Sequence, residues 1–547
     1  MTVSEFLPPD DMTLEAAGEA LARRLGAEDG RAREAECSFY DTFDGLVHAA
    51  GLTLWHGECY LELVERDTGE LRARHRCPRP EEPFFAKQLG AGSLRDALLA
   101  VTELRALLPL ADVRSRERLL RVLDEEQKTV VRVALCEPAV ICAEPAPLRP
   151  RLRLTGVRGY DKELGRVRAM LEGELGFKAT DQPLVDEAVR ACGALPGGIS
   201  SKVEVALSPE ERSEVAVGAV LRRLLEVMEA NLDGTIADID SEFLHDFRVS
   251  VRRTRSVQRE LKGVFAPAPL QRFRREFRWL QQVTGDARDL DVYVLDFEGF
   301  RALVPERMGG ALEPLLEVLR ERRLAARSEM ERALRSERAV SLLAQWSSFL
   351  NELSGEGGSG SGDGGSGRTG SGTTGSGSSG SEKVDSGKAR SGEGERPDAA
   401  RPIIDVAGGR IRSVYARMRR MGEAIDESSP PEAYHELRKK GKELRYLLEL
   451  FGAPLFPGEV VNPMVKTLKA LQDVLGRHQD REIQVATLHA LAPEVARRPA
   501  GPSAALAMGA LVQRLGEDEL AARAAFAERF GAFTAKRQRT LVKETFA

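Results

Sequence analysis

Two short stretches of this 547-residue chain set cations at helical spacing behind a histidine. The first reads His245-Asp-Phe-Arg248-Val-Ser-Val-Arg252-Arg-Thr-Arg255, and its register runs on to Arg259 and Lys262. The second reads His435-Glu-Leu-Arg438-Lys-Lys-Gly-Lys442-Glu-Leu-Arg445. Steps of three and four residues put His245, Arg248, Arg252, Arg255, Arg259 and Lys262 on one face of a helix about 25 Å long. A guanidinium offers a planar fork to phosphate oxygens and an ammonium offers a compact charge, so such a row suits a polyanion.

Each stretch closes on a similar string. Gly285-Asp-Ala-Arg-Asp289 begins 40 residues past the first histidine, and Gly476-Arg-His478-Gln-Asp480 begins 41 residues past the second. The two segments read as copies, which predicts a pseudo-symmetric fold. Counting back from the glycines adds Arg275 and Arg278 in the first copy, matched by Lys466 and Lys469 in the second. His478 has Ala287 as its counterpart, so the copies differ there. From Arg248 to Asp289 there are eleven Lys and Arg against four acids, Glu260, Glu276, Asp286 and Asp289. The whole chain carries a net charge of −5, so the excess is local. A local cluster on an acidic chain argues against a generic nucleic-acid binder, whose usual footprint is a basic domain or patch. The basic stripe also lacks the aromatics on which single-stranded bases stack.

These cations need elements to position them. Leu244, Phe247, Val251, Leu261 and Phe265 form an apolar stripe about 100° from the basic one, and Leu437, Leu444, Leu448 and Phe451 do the same in the second copy. Both helices are therefore expected to pack on a core and carry cations on the flank. From Ser213 onward the pattern is helical throughout, with Pro and Gly between segments. The Gly/Ser-rich run over 354–398 cannot bury apolar surface and reads as a flexible, disordered linker inside this helical region. It separates a first half, 213–353, from a second half, 399–547.

Residues 1–207 differ. Leu71-Arg72-Ala-Arg74-His-Arg76 and Arg149-Pro-Arg151-Leu-Arg153-Leu alternate, and Lys128-Thr-Val-Val-Arg-Val and Lys202-Val-Glu-Val-Ala-Leu also read as strands. Asp67-Thr-Gly69 predicts a hairpin turn between 60–66 and 70–76. Helical patterns fall at Leu14–Leu25, Leu94–Leu107 and Tyr160–Leu175. The fold class is therefore an α+β domain with an antiparallel sheet, followed by an all-α bundle. Six cysteines all lie in the first 200 residues, none in a Cys-x-x-Cys string, and read as reduced thiols of a cytoplasmic protein. No apolar run is long enough to span a bilayer, and the acidic start lacks the pattern of a signal peptide.

The helical half resembles the CHAD family, the conserved-histidine α-helical domain. The resemblance rests on Leu244 through Arg255, Trp279 through Val292, Tyr434 through Tyr446 and Leu471 through Asp480, and covers roughly 213–547 apart from the linker. It implies a bundle of two pseudo-symmetric halves that binds inorganic polyphosphate, with His245, Arg248, Arg252, Arg255, Arg275, Arg278, His435, Arg438, Lys442, Arg445, Lys466, Lys469 and His478 as contacts. The basic stripe itself adds Arg259 and Lys262. Cations around a histidine should lower its pKa and a bound polyanion should raise it, so binding is expected to strengthen below about pH 7.

The first half resembles the CYTH superfamily, the triphosphate-tunnel fold often fused ahead of CHAD. Phe39-Tyr-Asp-Thr-Phe-Asp-Gly45, Ala50-Gly-Leu52 and the alternating Arg strands carry that resemblance. It implies a Glu-x-Glu-x-Lys motif on the first strand for metal-dependent hydrolysis, whereas the chain begins Val3-Ser-Glu-Phe-Leu7. The nearest string is Glu34-Ala-Glu36-Cys-Ser38, with serine in place of lysine. Two glutamates two apart on a strand share a face and could hold Mg²⁺. Catalytic residues, metal ligands and cofactors are accordingly assigned to none. The alternatives are a metal-dependent triphosphate hydrolase, with Mg²⁺, tethered by the helical half, and a metal site built from His245, His435 and His478. The expected partner is inorganic polyphosphate, without membrane or nucleic acid, in the cytoplasm or on polyphosphate granules.

Overall fold

The computed structural model describes residues 3–142, 144–180, 182–354, 396–426 and 428–546. The predicted linker falls outside the described residues over 355–395. The chain divides into two compact units, one of residues 1–201 with 237–243 and one of residues 202–236 with 244–547.

The first unit is built on eleven strands: β1 Val3–Leu7, β2 Glu28–Asp29, β3 Arg33–Asp41, β4 Leu52–Gly57, β5 Tyr60–Glu65, β6 Leu71–Arg76, β7 Leu108–Leu123, β8 Thr129–Val140, β9 Ala146–Pro147, β10 Arg151–Gly156 and β11 Lys178–Ala179. Its helices are α1 Leu14–Leu25, α2 Leu46–Ala49, α3 Ser93–Thr102, α4 Asp161–Gly173 and α5 Leu184–Ala191. The strands form one curled antiparallel sheet, a half-barrel of order β11-β1-β10-β8-β7-β3-β4-β5-β6. This is the arrangement expected of a CYTH-like barrel.

Local chemistry fixes several of these elements. Thr13 caps α1 by accepting from the Ala16 amide at 3.3 Å, and Gly26 ends it at φ 56°. The predicted 67–69 turn forms, with Gly69 at φ 62° donating to the Glu65 carbonyl at 2.8 Å. Asp41, singled out with its neighbours in the sequence, is a cap: it accepts from the amides of Thr42, Val47 and His48 at 2.7, 2.8 and 2.9 Å. One sheet face buries Phe6, Leu120, Val131, Val133, Leu152 and Leu154 against α1 and α4. Side chains two apart share a face, so Arg151 and Arg153 point to the other side, with Glu5 and Glu117.

The helical unit comprises α6 Ser213–Ala237, α7 Ser241–Glu260, α8 Pro267–Val283, α9 Gly285–Leu295, α10 Phe297–Leu303, α11 Glu306–Gly309, α12 Glu313–Leu334, α13 Glu337–Leu353, α14 Ile403–Glu423, α15 Pro431–Leu447, α16 Ala453–Leu455, α17 Gly458–Val495, α18 Gly501–Phe533 and α19 Lys536–Thr545. Every member of both predicted apolar stripes is buried, with Leu244, Phe247, Val251, Leu437, Leu444, Leu448 and Phe451 all at 0% exposure. They join one large core, and a second core lies between α10, α12, α18 and the far end of α17.

The sequence misplaced two features of these units. Lys202–Leu207 forms no strand. Its alternation has another cause, since Val203, Val205 and Leu207 pack one face of an extended segment on the helical core. The basic stripe of α7 was carried to Lys262, but the helix ends at Glu260 and Lys262 starts a short 3-10 turn.

Candidate anion-binding site

Helices α7 and α15 present their cations in closely parallel ways. On α7, Arg248 donates through Nη1 to the Gln281 carbonyl at 2.9 Å and to Thr284 Oγ1 at 2.8 Å. On α15, Arg438 donates to Gln479 Oε1 at 3.0 Å and pairs with Asp480 at 3.2 Å. The closing glycine of the second copy makes room for its guanidinium, while the first copy would bear a Cβ at ordinary contact distance. A Cβ at Gly476 would stand 3.2 Å from Arg438 Nη2, and one at Gly285 would stand 3.8 Å from Arg248 Nη1. Two turns further along, Arg255 donates to the side chain of Gln281, and Arg445 donates to Gln472 Oε1 at 3.0 Å. Both glutamines sit four residues ahead of their glycine, a regularity the sequence held and our reading passed over.

Arg252 joins the two rows. Its charge bears on Arg248 in its own helix and on Lys442 in α15. Burial and the charges of Arg438, Arg252 and Arg445 push the Lys442 amine down to about 8, with Asp480 opposing. Burial likewise brings Arg248 down to about 10, helped by Arg252 and Arg288 and opposed by Asp289. Arg255 is lowered by burial and by Arg259 and Arg278. The buried Nε of Arg252 has no hydrogen-bond partner among the described residues. Cations withdrawn from water and crowded by like charge are poorly compensated in the protein itself, and an entering anion would relieve both costs.

The remaining sequence candidates divide. His245 lies beside this cluster, its Nδ1 at 3.0 Å from Arg288 Nη2, a partner the sequence did not flag. His435 is half-buried on α15, at the N-terminal end of its row. Lys466 and Lys469 are exposed on the α17 face that carries Gln472, where they border an open hollow of about 390 Å³ with Asn462 and Asp473. Arg275 is exposed and approaches Glu276 at 3.6 Å, and Arg278 and Lys262 are exposed. Arg259 does not stand as an isolated cation: it pairs with Glu260 at 3.1 Å and with Glu443 at 2.6 Å. His478 is 2% exposed, stacked on Tyr434 at 4.8 Å and set 2.9 Å from Glu519, so it faces the interior rather than the basic row.

Arginines of the sheet unit have a different environment. Arg151, 1% exposed, pairs with Glu5 at 2.6 Å and also with Glu187. Arg153 pairs with Glu117 at 3.0 Å, and Glu117 also holds Arg33 at 3.2 Å. On β1, Glu5 and Leu7 lie on this face. Glu34 and Glu36 lie on the opposite face, paired in register with Arg116 and Arg114, and Glu36 bonds Arg114 at 2.8 Å. Among the described residues no cluster of three or more His, Cys, Asp or Glu side chains could hold a metal ion, and no helix is long and apolar enough to cross a membrane.

Residues 219–489 match the model of the CHAD domain family. An uncharacterized protein of Mycobacterium tuberculosis, found in two strains, is 26% identical over 323 residues, 56% of this chain and 53% of its own. The chain thus spans about half the length of the curated relatives it matches. The CHAD domain from the plant Ricinus communis is a structural neighbour at 22% identity, with a TM-score of 0.45 over 60% of this chain and 96% of its own. PptA from Streptomyces chartreusis is another, at 18% identity and a TM-score of 0.38 over 58% of this chain and 99% of its own.

Proposed function

We propose that this chain, which carries a CHAD domain over residues 219–489, binds inorganic polyphosphate along the joined basic rows of α7 and α15. The observation that carries this reading is Lys442, a half-buried ammonium crowded by Arg252, Arg438 and Arg445. A solvated basic face would leave its charges in water, where they cost little. Here burial and mutual repulsion raise the energy of the empty site, and a phosphate chain threading between the rows would lower it. Arg248, Arg252, Arg255, Arg438, Lys442 and Arg445 form the centre of the site, with His245 and His435 each at the N-terminal end of its own row. Arg275, Arg278, Lys466 and Lys469 extend it along α8 and α17, and Lys262 lies beyond the end of α7. Arg259, held by both Glu260 and Glu443, and His478, which faces the interior, are left out of the contact set. The two segments are read as copies that each supply one wall.

The sheet unit is read as non-hydrolysing. Its first strand offers one carboxylate on the inner face, and that carboxylate is held by Arg151. Release of phosphate from tripolyphosphate with Mg²⁺ or Mn²⁺ that is lost in Glu5→Gln would overturn this part.

The deciding experiment is a competition titration of long-chain polyphosphate against single-stranded DNA of matched charge. Polyphosphate is expected to win by a wide margin, because the rows hold charge without stacking platforms. Equal competition would reduce the site to a generic anion surface.

A further inference from the structure

Positions eight and fourteen residues past each histidine carry opposite charges in the two rows. In the first they are Arg253 and Arg259; in the second they are Glu443 and Glu449. The structure pairs them crosswise. Arg253 bonds Glu449 at 3.0 Å, and Arg259 bonds Glu443 at 2.6 Å. Position eight of either helix therefore meets position fourteen of the other, the reciprocity of a twofold interface, in which i meets j and j meets i. Both acids also touch a cation of their own helix, Glu449 at 3.3 Å from Arg445 and Glu443 against Lys440. Glu443 and Tyr446 are buried, and the guanidinium of Arg253 lies 5.8 Å from the Tyr446 ring.

A symmetric pair of identical surfaces could satisfy such an interface only with unlike charges at positions eight and fourteen. This chain instead has two cations on one side and two anions on the other. We propose that the Arg253/Arg259 face of α7 is a docking surface whose charge admits one partner, the Glu443/Glu449 face of the second row. A first half brought against another first half would set Arg against Arg, and two second halves would set Glu against Glu, at close range where like charge costs most. The arrangement gives the first half its own chain's second half as complement and rejects a like half from another copy. It acts beside the anion site without depending on it, because it concerns which helices meet, not what they bind.

The test is a reversal of sign, read as Tm of the full chain by differential scanning fluorimetry. In the natural sequence, Glu443→Gln with Glu449→Gln should lower Tm, because Arg253 and Arg259 lose the acids that face them from the second row, although Arg259 keeps Glu260. In a chain carrying Arg253→Glu and Arg259→Glu, which should itself melt lower, the same two glutamines should raise Tm, because they remove facing like charges. Should that background fail to fold, Arg253→Glu with and without Glu449→Gln reads the same reversal at one pair. The proposal is overturned if the glutamines lower Tm in both backgrounds or leave it unmoved in both. The first result would mean that the acids serve only their own helices. The second would mean that Arg253 acts through Tyr446 alone.

Discussion

The sheet unit and the helical unit both draw arginines into partly buried positions, and they treat them in opposite ways. In the sheet unit, Arg151 and Arg153 are met by Glu5, Glu187 and Glu117, so each buried cation has a carboxylate. In the helical unit, the charge of Arg252 bears on both Arg248 and Lys442, and the nearest aspartates only partly offset them. Arginine thus marks a carboxylate-paired network in one place and the proposed anion site in the other. The distinguishing quantity is uncompensated charge, which composition does not report.

The largest effect should come from breaking the sheet network. Arg151→Ala strands Glu5, while Glu187 keeps Arg149 at 3.3 Å, and should cost about 3–5 kcal/mol of stability, the usual penalty for unpairing a buried ion. Urea unfolding would show it, while polyphosphate affinity should stay unchanged. If affinity fell with it, the contrast between the units would be wrong.

Next comes reversal of charge at the centre of the rows. Arg252→Glu or Lys442→Glu should weaken polyphosphate binding by about 100-fold, since a misplaced close charge costs about 3 kcal/mol. Isothermal titration would measure it, and folding should be spared, because these changes relieve repulsion in the empty protein.

A smaller effect belongs to pH. The Lys442 amine stands at about 8 in the empty site, below its usual value, and a bound polyanion should raise it again. Binding then takes up protons above about pH 8, so affinity should fall as pH rises past that point and be flat in this respect below it. Stability of the empty protein should run the other way. Between about 8 and the usual lysine value the folded state binds fewer protons than the unfolded chain, so stability from this group rises with pH. Lys442→Arg should flatten both profiles.

Smaller still is the salt dependence. Each neutralised phosphate releases a counterion, so log affinity should fall linearly with log salt, by about 0.7–0.9 per contact if nucleic-acid behaviour transfers. Arg252→Ala should reduce that slope by roughly one. Arg335→Glu, at an exposed residue whose partner is Glu331, should leave slope and affinity alone. Equal losses at Arg335 and Arg252 would mean that binding follows net charge.

Much of this molecule was written in local order. The spacing of His245, Arg248, Arg252 and Arg255 against Leu244, Phe247 and Val251 fixed which face of α7 would be basic and which buried, because helical periodicity permits no other assignment. The same held for α15, for the turn at Gly69 and for the bounds of α1. Local order was ambiguous wherever one pattern has two tertiary causes. Val203, Val205 and Leu207 alternate as a strand does, yet they alternate because one side of an extended segment touches helices. His478 carries the type of a ligand, yet packing turned it onto Tyr434. Glu34 and Glu36 had the spacing of a metal pair, but their strand shows that face to the outside. Arg259 belonged to the basic row until Glu443 arrived from a helix 184 residues away in sequence. Sequence alone set the charges, their helical phase and the stripes that anchor them. Tertiary structure decided which charges would meet a carboxylate and which would meet only each other, because that depends on approach between helices distant in sequence, and the energy of a buried charge is set by its neighbours in space.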